Sequence, residues 1–255
     1  MNKKVTKIIF SPSGSTEKIV DLFCQYANWN TVAKIDLLND IEISDKTFKE
    51  DEIVIVAIPV FYGRVPEIVI QKLQEIKGDN TPVITLVVYG NRDYEDALLE
   101  LSDNMESKGF VVYGAAAFIA RHSIFPKVAK KRPDENDEDN ISYFVKQCKK
   151  NLDQGIPPTL NIKGNRPYRE YSDIPFSPKG NHRCTNCGIC AKLCPVQAID
   201  INSLKDTNKD ICIKCTACIH NCPTHARSFK GLLYKMVNHK FNKQYREYKE
   251  PELFV

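Results

Sequence analysis

Apolar residues in the first 150 positions alternate between the period of a strand and that of a helix. This pattern predicts strands at 5–10, 32–37, 53–58, 82–88 and 110–120, and helices at 15–29, 68–76, 93–108 and 141–154. The run at 53–58 is almost wholly apolar and β-branched, as is typical of a central strand covered on both faces. We therefore expect an α/β fold with a doubly wound, five-stranded parallel sheet in the order 2-1-3-4-5.

In such a sheet, ligands bind beyond the carboxyl ends of the strands. The loop after the first strand contributes Ser11, Ser13, Gly14, Ser15 and Thr16. The loop after the third strand contributes Pro59, Phe61, Tyr62, Gly63 and Arg64, and the loop after the fourth contributes Tyr89, Gly90, Asn91, Arg92 and Tyr94. Aromatic faces hold flat heterocycles, and glycine lets the main chain approach a ligand. We expect these loops to bind a cofactor.

The first of these loops has the chemistry of a phosphate site. Hydroxyl donors lie directly before a predicted helix, whose N-terminal N–H groups and dipole attract anions. The loop lacks the Gly-Lys-Ser/Thr of a Walker-type nucleotide site. The alternative is an ordinary Ser or Thr helix cap, which accounts for one hydroxyl but not for four.

Eight of the ten cysteines fall in two copies of the spacing C-x-x-C-x-x-C-x-x-x-C-P. The first run is Cys184, Cys187, Cys190 and Cys194, and the second is Cys212, Cys215, Cys218 and Cys222. This spacing is typical of two [4Fe–4S] clusters in which the fourth cysteine of each run ligates the other cluster. The predicted sets are Cys184, Cys187, Cys190 with Cys222, and Cys212, Cys215, Cys218 with Cys194. Zinc sites and a disulfide scaffold are the weaker alternatives.

Length and composition bound the remaining possibilities. The 255 residues carry a formal charge of +4, which does not indicate nucleic acid as a partner. No apolar run is long enough for a membrane span, and the first residues do not resemble a signal peptide, so a cytoplasmic location is expected. The predicted division is 1–154 for a cofactor domain, 155–179 for an extended linker, 180–230 for the cluster domain and 231–255 for a helical tail. The sequence leaves the oligomeric state open.

Residues 1–154 resemble flavodoxins, and residues 180–230 resemble bacterial two-cluster ferredoxins. The motifs Ser-Pro-Ser-Gly-Ser-Thr and Tyr-Gly-Asn-Arg carry a resemblance of nearly the whole chain to the EFR-type ferredoxin fusion family. This resemblance implies FMN as a cofactor beside the two clusters. It places Tyr62 and Gly63 beside the flavin N5, Tyr94 stacked on the isoalloxazine, and Gly90 with Asn91 at the pyrimidine edge.

The loop arginines depart from the acidic surroundings of the flavin in most flavodoxins. A cation about 6 Å from the ring contributes roughly 2–3 kcal/mol, on the order of 100 mV, at an effective dielectric constant near 20. The hypothesis is that Arg64 and Arg92 make the flavin potential less negative. The alternative is that both arginines face solvent or a partner's carboxylates.

Several residues lie outside these motifs. Cys24 and Cys148 are expected to be buried structural thiols, and His122 either faces the flavin edge or is a hydrogen-bonded structural histidine. Residues 127–139 are expected to form an exposed loop, and the tail from 232 to form a helix packed on the body. A subunit contact or a dock for an acidic partner is the alternative for this helix, and a membrane-surface helix is a weaker one.

The combined expectation is a low-potential electron carrier between redox partner proteins, with no catalytic residue assigned. The alternative is an FMN-dependent reductase of a quinone, nitro compound or enone, with the clusters as the electron feed; a module whose clusters only stabilise a binding surface is a third possibility. The sequence leaves the donor, the acceptor and the direction of electron flow open.

Overall fold

The computed structural model describes residues 4–29, 32–39 and 46–255. Its strands are β1 (Lys4–Ile9), β2 (Val32–Asp36), β3 (Lys46–Phe48), β4 (Glu52–Pro59), β5 (Ile76–Gly78), β6 (Thr81–Tyr89), β7 (Phe110–Ile119) and β8 (Glu252–Phe254). Its helices are α1 (Ser15–Tyr26), α2 (Glu67–Leu73), α3 (Ala97–Glu106), α4 (Glu135–Gln154), α5 (Ile189–Lys192), α6 (Ala217–His220) and α7 (Leu232–Gln244).

The main sheet has the order β2-β1-β4-β6-β7-β8. Its first five strands are parallel, which confirms the flavodoxin-like α/β fold and the predicted order 2-1-3-4-5. Every residue of β6 is buried, because helices cover both faces of the sheet. One apolar core lies between the sheet and α1 with α4, and the other lies between the sheet and α2 with α3.

Three predicted helix boundaries are wrong, each for a local reason. Helix α2 ends at Leu73, and Ile76 begins β5, which pairs with β3 in a small parallel sheet that the sequence pattern did not predict. Helix α3 begins at Ala97 rather than Asp93, because the residues before it form a turn in which Glu95 has a φ of 46°. Helix α4 begins at Glu135, where the preceding aspartate closes a capping box.

The prediction of an exposed loop over 127–139 is also wrong, because α4 begins earlier than predicted. Its second half belongs to α4, and its first half contains Val128, 2% exposed, and Arg132, 8% exposed. Arg132 forms an ion pair with Asp137 and donates to the Lys249 carbonyl at 2.9 Å. This loop therefore anchors the end of the chain.

The C-terminal tail is only partly helical. After α7 the chain crosses the loops at the carboxyl end of the sheet and adds β8 to β7 in antiparallel pairing, with Ala116 opposite Leu253. The prediction of a helical tail over 231–255 is thus wrong for its last residues. A three-residue strand next to Pro251 is too short to show an alternating pattern.

The two cysteine runs repeat in conformation as well as in sequence. Positive φ values recur at an offset of 28 residues, for example 78° at Gly188 and 68° at Thr216, and 53° at Gln197 and 49° at His225. Residues 155–179 contain no helix or strand and lie against the first domain. The proposed domain boundaries stay a prediction, since contacts cross each of them.

Candidate functional site

A cleft opens at the carboxyl ends of the parallel strands. It contains about 1140 Å³ of space when the solvent in its open mouth is included. Ten of the predicted cofactor residues line it: Ser13, Ser15, Thr16, Pro59, Phe61, Tyr62, Gly63, Tyr89, Gly90 and Arg92. The structure therefore brings all three predicted loops to one cavity.

The first loop wraps the N-terminus of α1. Gly14 has a φ of 81°, a left-handed conformation that favours glycine, and its N–H donates to the Ser11 carbonyl at 3.2 Å. The Ser11 hydroxyl accepts the N–H of Glu17 at 3.0 Å. Ser11 and Gly14 thus shape the loop and do not line the cleft. The first N–H groups of a helix have no partner within the helix, so this end is a site for an anion.

The second loop is a tight turn closed by two hydrogen bonds between Phe61 and Arg64, each 3.0 Å long. Its central residues, Tyr62 and Gly63, have φ values of 55° and 83°, as a two-residue turn of type I′ requires. A Cβ at Gly63 would overlap the carboxylate of Glu95. Glycine here lets the two loops approach each other under the cleft.

Arg64 does not line the cleft. Its guanidinium forms a two-pronged ion pair with Glu100, with both N···O distances 2.8 Å, and lies 4.2 Å from the centre of the Tyr171 ring. The carboxylate neutralises the cation on which the flavin-potential hypothesis depended. Arg92 does line the cleft, but it too forms an ion pair, with Glu95 at 2.7 Å.

Two further predicted contacts are also replaced by structural roles. Tyr94 is fully buried, packs on Tyr89 with ring centroids 5.6 Å apart, and donates its hydroxyl to Glu252 at 2.7 Å. Asn91 donates to the carbonyls of Tyr245 and Glu247 at 2.9 and 2.7 Å. Both residues hold the C-terminal segment and lie outside the lining of the cleft.

The remaining wall comes from residues that sequence reasoning did not assign. They are Val60, Val88, Asp93 and Ala120 at the strand ends, Arg121, Ser123, Ile124 and Phe125 after β7, Arg169, Ser172 and Ile174 of the linker, Ile213 and Lys214 of the second cysteine run, and Phe241 of α7. The strand ends and the loop after β7 were accessible to prediction, because they lie at the carboxyl ends of the strands. The others are distant in sequence, and no local pattern marks them.

His122 also belongs to this wall and is a neutral residue. Its Nδ1 accepts the N–H groups of Ile124 and Phe125 at 3.1 and 3.3 Å, so the proton lies on Nε2. Burial, with a smaller effect from the Arg92 charge, lowers the pKa of His122 from 6.5 to about 4. A Cβ at Gly90 would lie only 2.6 Å from the imidazole ring, so the ring packs directly on that glycine.

The eight motif cysteines line two cavities outside this cleft. One cavity, which we call the outer cysteine cavity, is lined by Cys184, Cys187, Cys190 and Cys222. The other, which we call the inner cysteine cavity, is lined by Cys194, Cys212, Cys215 and Cys218. The fourth cysteine of each run thus lies with the first three of the other run, the grouping that the sequence predicts.

The surroundings of the cavities suit a cluster. The N–H of Ala198 donates to the Cys194 sulfur and that of Ala226 donates to the Cys222 sulfur, each at 3.2 Å. Such bonds stabilise negative charge on sulfur. Burial raises the pKa of the Cys218 thiol to about 11 in the absence of iron, whereas coordination deprotonates a thiol. Within residues 4–29, 32–39 and 46–255, no group of His, Cys, Asp or Glu side chains is placed to hold a single metal ion.

The cleft and the inner cysteine cavity share a wall. Ile213 and Lys214 line both spaces, and Tyr62 lies beside them on the cleft side. Lys214 has a side chain only 3% exposed and forms an ion pair with Asp173, which also accepts the Tyr62 hydroxyl at 3.3 Å. Two adjacent residues therefore separate the two candidate cofactor sites.

Comparison with known proteins agrees with the C-terminal assignment. Residues 183–227 match the family model described as a 4Fe-4S dicluster domain. A search of curated proteins returned no significant match.

Solved structures align with the N-terminal part at low identity. Rubredoxin oxygen:oxidoreductase from Desulfovibrio gigas is 17% identical, with a TM-score of 0.43, over 60% of this chain and only 37% of that protein. Flavodoxin 1 from Bacillus cereus is 15% identical, with a TM-score of 0.43, over 58% of this chain and 97% of that one. The FMN-bound flavodoxin from Fusobacterium nucleatum is 16% identical, with a TM-score of 0.41, over 58% and 98%.

The fold assignment rests on the strand order and register described above. These define the class of the protein as a flavodoxin-like α/β sheet joined to a 4Fe–4S ferredoxin-type module. None of the helices in the described part of the chain is both long and apolar enough to cross a membrane.

Proposed function

We propose that this protein is an iron–sulfur flavoprotein of the EFR type, which carries electrons between redox partner proteins through two [4Fe–4S] clusters and FMN. The observation that carries the proposal is the shared wall of Ile213 and Lys214 between the cleft and the inner cysteine cavity. Short separation is what electron transfer between cofactors needs from a protein scaffold. The proposal includes the division of the chain into a flavin domain at 1–154, a linker at 155–179, a cluster domain at 180–230 and a tail at 231–255.

Each part of the cleft suits one part of FMN. The N-terminus of α1 with Ser13, Ser15 and Thr16 would bind the phosphate, because hydroxyl and N–H donors converge there without a counter-charge. Phe61 and Tyr62 present aromatic faces for the isoalloxazine. The neutral His122, which also lines the cleft, has a single N–H donor.

The cysteine cavities would each hold one cluster. The outer set is Cys184, Cys187, Cys190 and Cys222, and the inner set is Cys212, Cys215, Cys218 and Cys194. Bound clusters exchange single electrons, and bound FMN accepts one or two. The outer set includes the exposed Cys187, whereas the inner set adjoins the cleft, so we place the outer set nearer the partner and the inner set nearer the flavin.

The test is anaerobic reconstitution with iron, sulfide and FMN, followed by stepwise reductive titration. We expect about eight irons and one FMN per chain. Cys215→Ser should lower the iron content by about four and slow reduction of the flavin by the clusters. Cys24→Ser is the matched control, because Cys24 is a buried residue of α1 and lies in neither set, and it should keep the full iron content.

Two results would overturn the proposal. One is failure of the reconstituted chain to bind FMN, and the other is an unchanged rate of flavin reduction in Cys215→Ser. Turnover of a quinone, nitro compound or enone at a rate equal to that with protein acceptors would replace the carrier by the reductase alternative.

A further inference from the structure

Charge is distributed unevenly along this chain. Residues 211–246 contain seven Lys and Arg and no Asp or Glu. The whole chain has 36 Lys and Arg against 32 Asp and Glu, so the rest of the chain carries 29 against 32. A net charge of +4 therefore conceals a basic segment on a mildly acidic body.

Two of the seven cations serve internal structure. Lys214 pairs with Asp173, and Arg227, 3% exposed, donates to backbone carbonyls such as that of Pro178 at 3.1 Å. The other five are exposed: Lys230, Lys235, Lys240, Lys243 and Arg246. Among the described residues, none of these five forms an ion pair. Their charge is thus available to an external partner.

Apolar side chains lie among these cations. Leu232, Leu233 and Met236 in the first turns of α7 are 75%, 48% and 62% exposed. The opposite side of α7 packs inward, with Tyr234 stacked on Phe229 at 5.6 Å between ring centroids. Exposed apolar residues surrounded by charge mark interaction sites more often than chance.

We define the basic α7 face as Leu232, Leu233, Lys235, Met236, Lys240 and Lys243. Positions 232, 236, 240 and 243 recur at helical spacing and lie on one side of the helix. No residue of α7 is buried, although the helix is held by aromatic contacts on its other side. The face is therefore an exposed surface of a fixed element.

We propose that the basic α7 face docks an acidic electron-carrier protein, the partner that the proposed function requires. Charge complementarity supports this docking, because opposite potentials steer association and fix orientation. The location suits electron exchange with the outer cysteine cavity. Ala226 and Arg227 line that cavity, and Phe229, two residues further, packs on the first turn of α7.

The test measures binding of an oxidised, acidic two-[4Fe–4S] ferredoxin by calorimetry at several salt concentrations. Lys235→Glu/Lys240→Glu reverses two charges of the face. Lys146→Glu/Lys150→Glu is the matched control, because both lysines are exposed on α4 and give the same change in net charge. We expect reversal on α7 to weaken binding about tenfold and to flatten its salt dependence, and the control to change it less than about twofold.

A second pair of variants keeps the charge constant. Leu232→Ser/Met236→Ser should also weaken binding, since it removes exposed apolar contact without touching a cation. Equal weakening by both charge-reversal pairs would overturn the proposal. Binding of α7 to vesicles that contain anionic phosphatidylserine, lost on Lys235→Glu/Lys240→Glu, would overturn it in favour of a membrane surface.

The outcome is separable from that of the proposed function. Binding of an oxidised ferredoxin needs no electron transfer, and iron and FMN contents are measured on the same samples. Full cofactor content without salt-dependent binding refutes only the docking surface. Docking with normal affinity to a chain that binds no FMN refutes only the electron-carrier function.

Discussion

Neutralisation of Glu100 is expected to destabilise the fold, because it breaks a buried ion pair. Arg64 and Glu100 have side chains only 12% and 7% exposed, and their ion pair joins the loop after β4 to α3. Glu100 also accepts the N–H of Val65 at 2.9 Å. Glu100→Gln keeps the shape and an acceptor for that N–H, but leaves the Arg64 charge without its counter-charge.

The magnitude follows from this burial. Loss of one partner from a buried ion pair costs about 3–5 kcal/mol. Because the pair retains slight exposure, we expect a loss of about 3 kcal/mol in the free energy of unfolding. A neutralised pair of charges several ångströms from a ring contributes only ~0.5 kcal/mol at an effective dielectric constant near 20, or ~25 mV, instead of the ~100 mV of an unpaired cation.

The assay is urea unfolding of Glu100→Gln, Arg64→Gln and the double variant. Glu106→Gln on the exposed end of α3 is the matched control and should cost less than about 0.5 kcal/mol. We expect the two single variants together to lose more free energy of unfolding than the double variant does. The difference, which is the coupling energy of the pair, should exceed about 1 kcal/mol. Strictly additive losses, or a flavin midpoint shifted by ~100 mV in the double variant, which removes both charges of the neutral pair, would refute this interpretation.

Three other changes test the cleft and the cluster sets. Gly63→Ala should cost more stability and more FMN affinity than Gly155→Ala, because both glycines have positive φ but only Gly63 lacks space for a Cβ; equal losses in urea unfolding and FMN titration would contradict this. The lowered pKa of His122 means that the unfolded chain binds the extra proton between pH 6.5 and about 4, so stability should fall as pH falls, by about 1–2 kcal/mol from pH 7 to 5. His122→Gln should remove that part of the loss, and an unchanged pH profile would show that His122 does not cause it. Cys222→Ser should change the electron paramagnetic resonance of the same cluster as Cys187→Ser; an effect on the other cluster would exclude the crosswise sets.

The parallel sheet was predictable because its evidence is local. The buried strands β4 and β6 are runs of β-branched residues, and such runs require cover on both faces. Strand order then follows from the alternation with helices. The short strands β3, β5 and β8 have three residues each, too few to show a period, and they depend on neighbours that are distant in sequence.

The cysteine sets were predictable for a different reason. A [4Fe–4S] cluster requires a particular spacing of its cysteine ligands, so the spacing in the sequence identifies the ligand sets directly. The cavities contain the expected members, including Cys194 and Cys222 in exchanged positions. This grouping depends on the local spacing of the cysteines and on no other tertiary contact.

The aromatic residues of the cleft loops were harder to assign. Tyr62 and Tyr94 each stand beside a strand end, and local sequence does not tell which of them faces the cavity. Tyr94 lies in the core because Glu252, at the far end of the chain, accepts its hydroxyl. Tyr62 instead lines the cleft, where its hydroxyl donates to Asp173 of the linker. Partners more than 100 residues away decide both cases.

The linker shows why the relation between the two cofactor sites has no local signature. Asp96 at the start of α3 accepts backbone N–H groups of Asn165 and Arg169 at 2.8 and 2.7 Å. About two turns further along α3, Asp103 forms an ion pair with Arg166 of the linker. Together with Glu100, which contacts the Tyr171 hydroxyl at 3.5 Å, these carboxylates attach the linker to α3.

This attachment has a functional consequence. The linker leads directly into the cluster domain, and its Asp173 pairs with Lys214 in the wall between the cleft and the inner cysteine cavity. Acid–base contacts on α3 and in the linker thus help to set the separation of the two candidate sites, together with the apolar packing of Leu160, Ile162 and Ile213 on the first core. Ordinary surface charges tolerate substitution, but here a change at Asp96 or Asp103 would alter the distance between the cofactors. We therefore expect the rate of electron transfer between them to be more sensitive to these carboxylates than the binding of either cofactor.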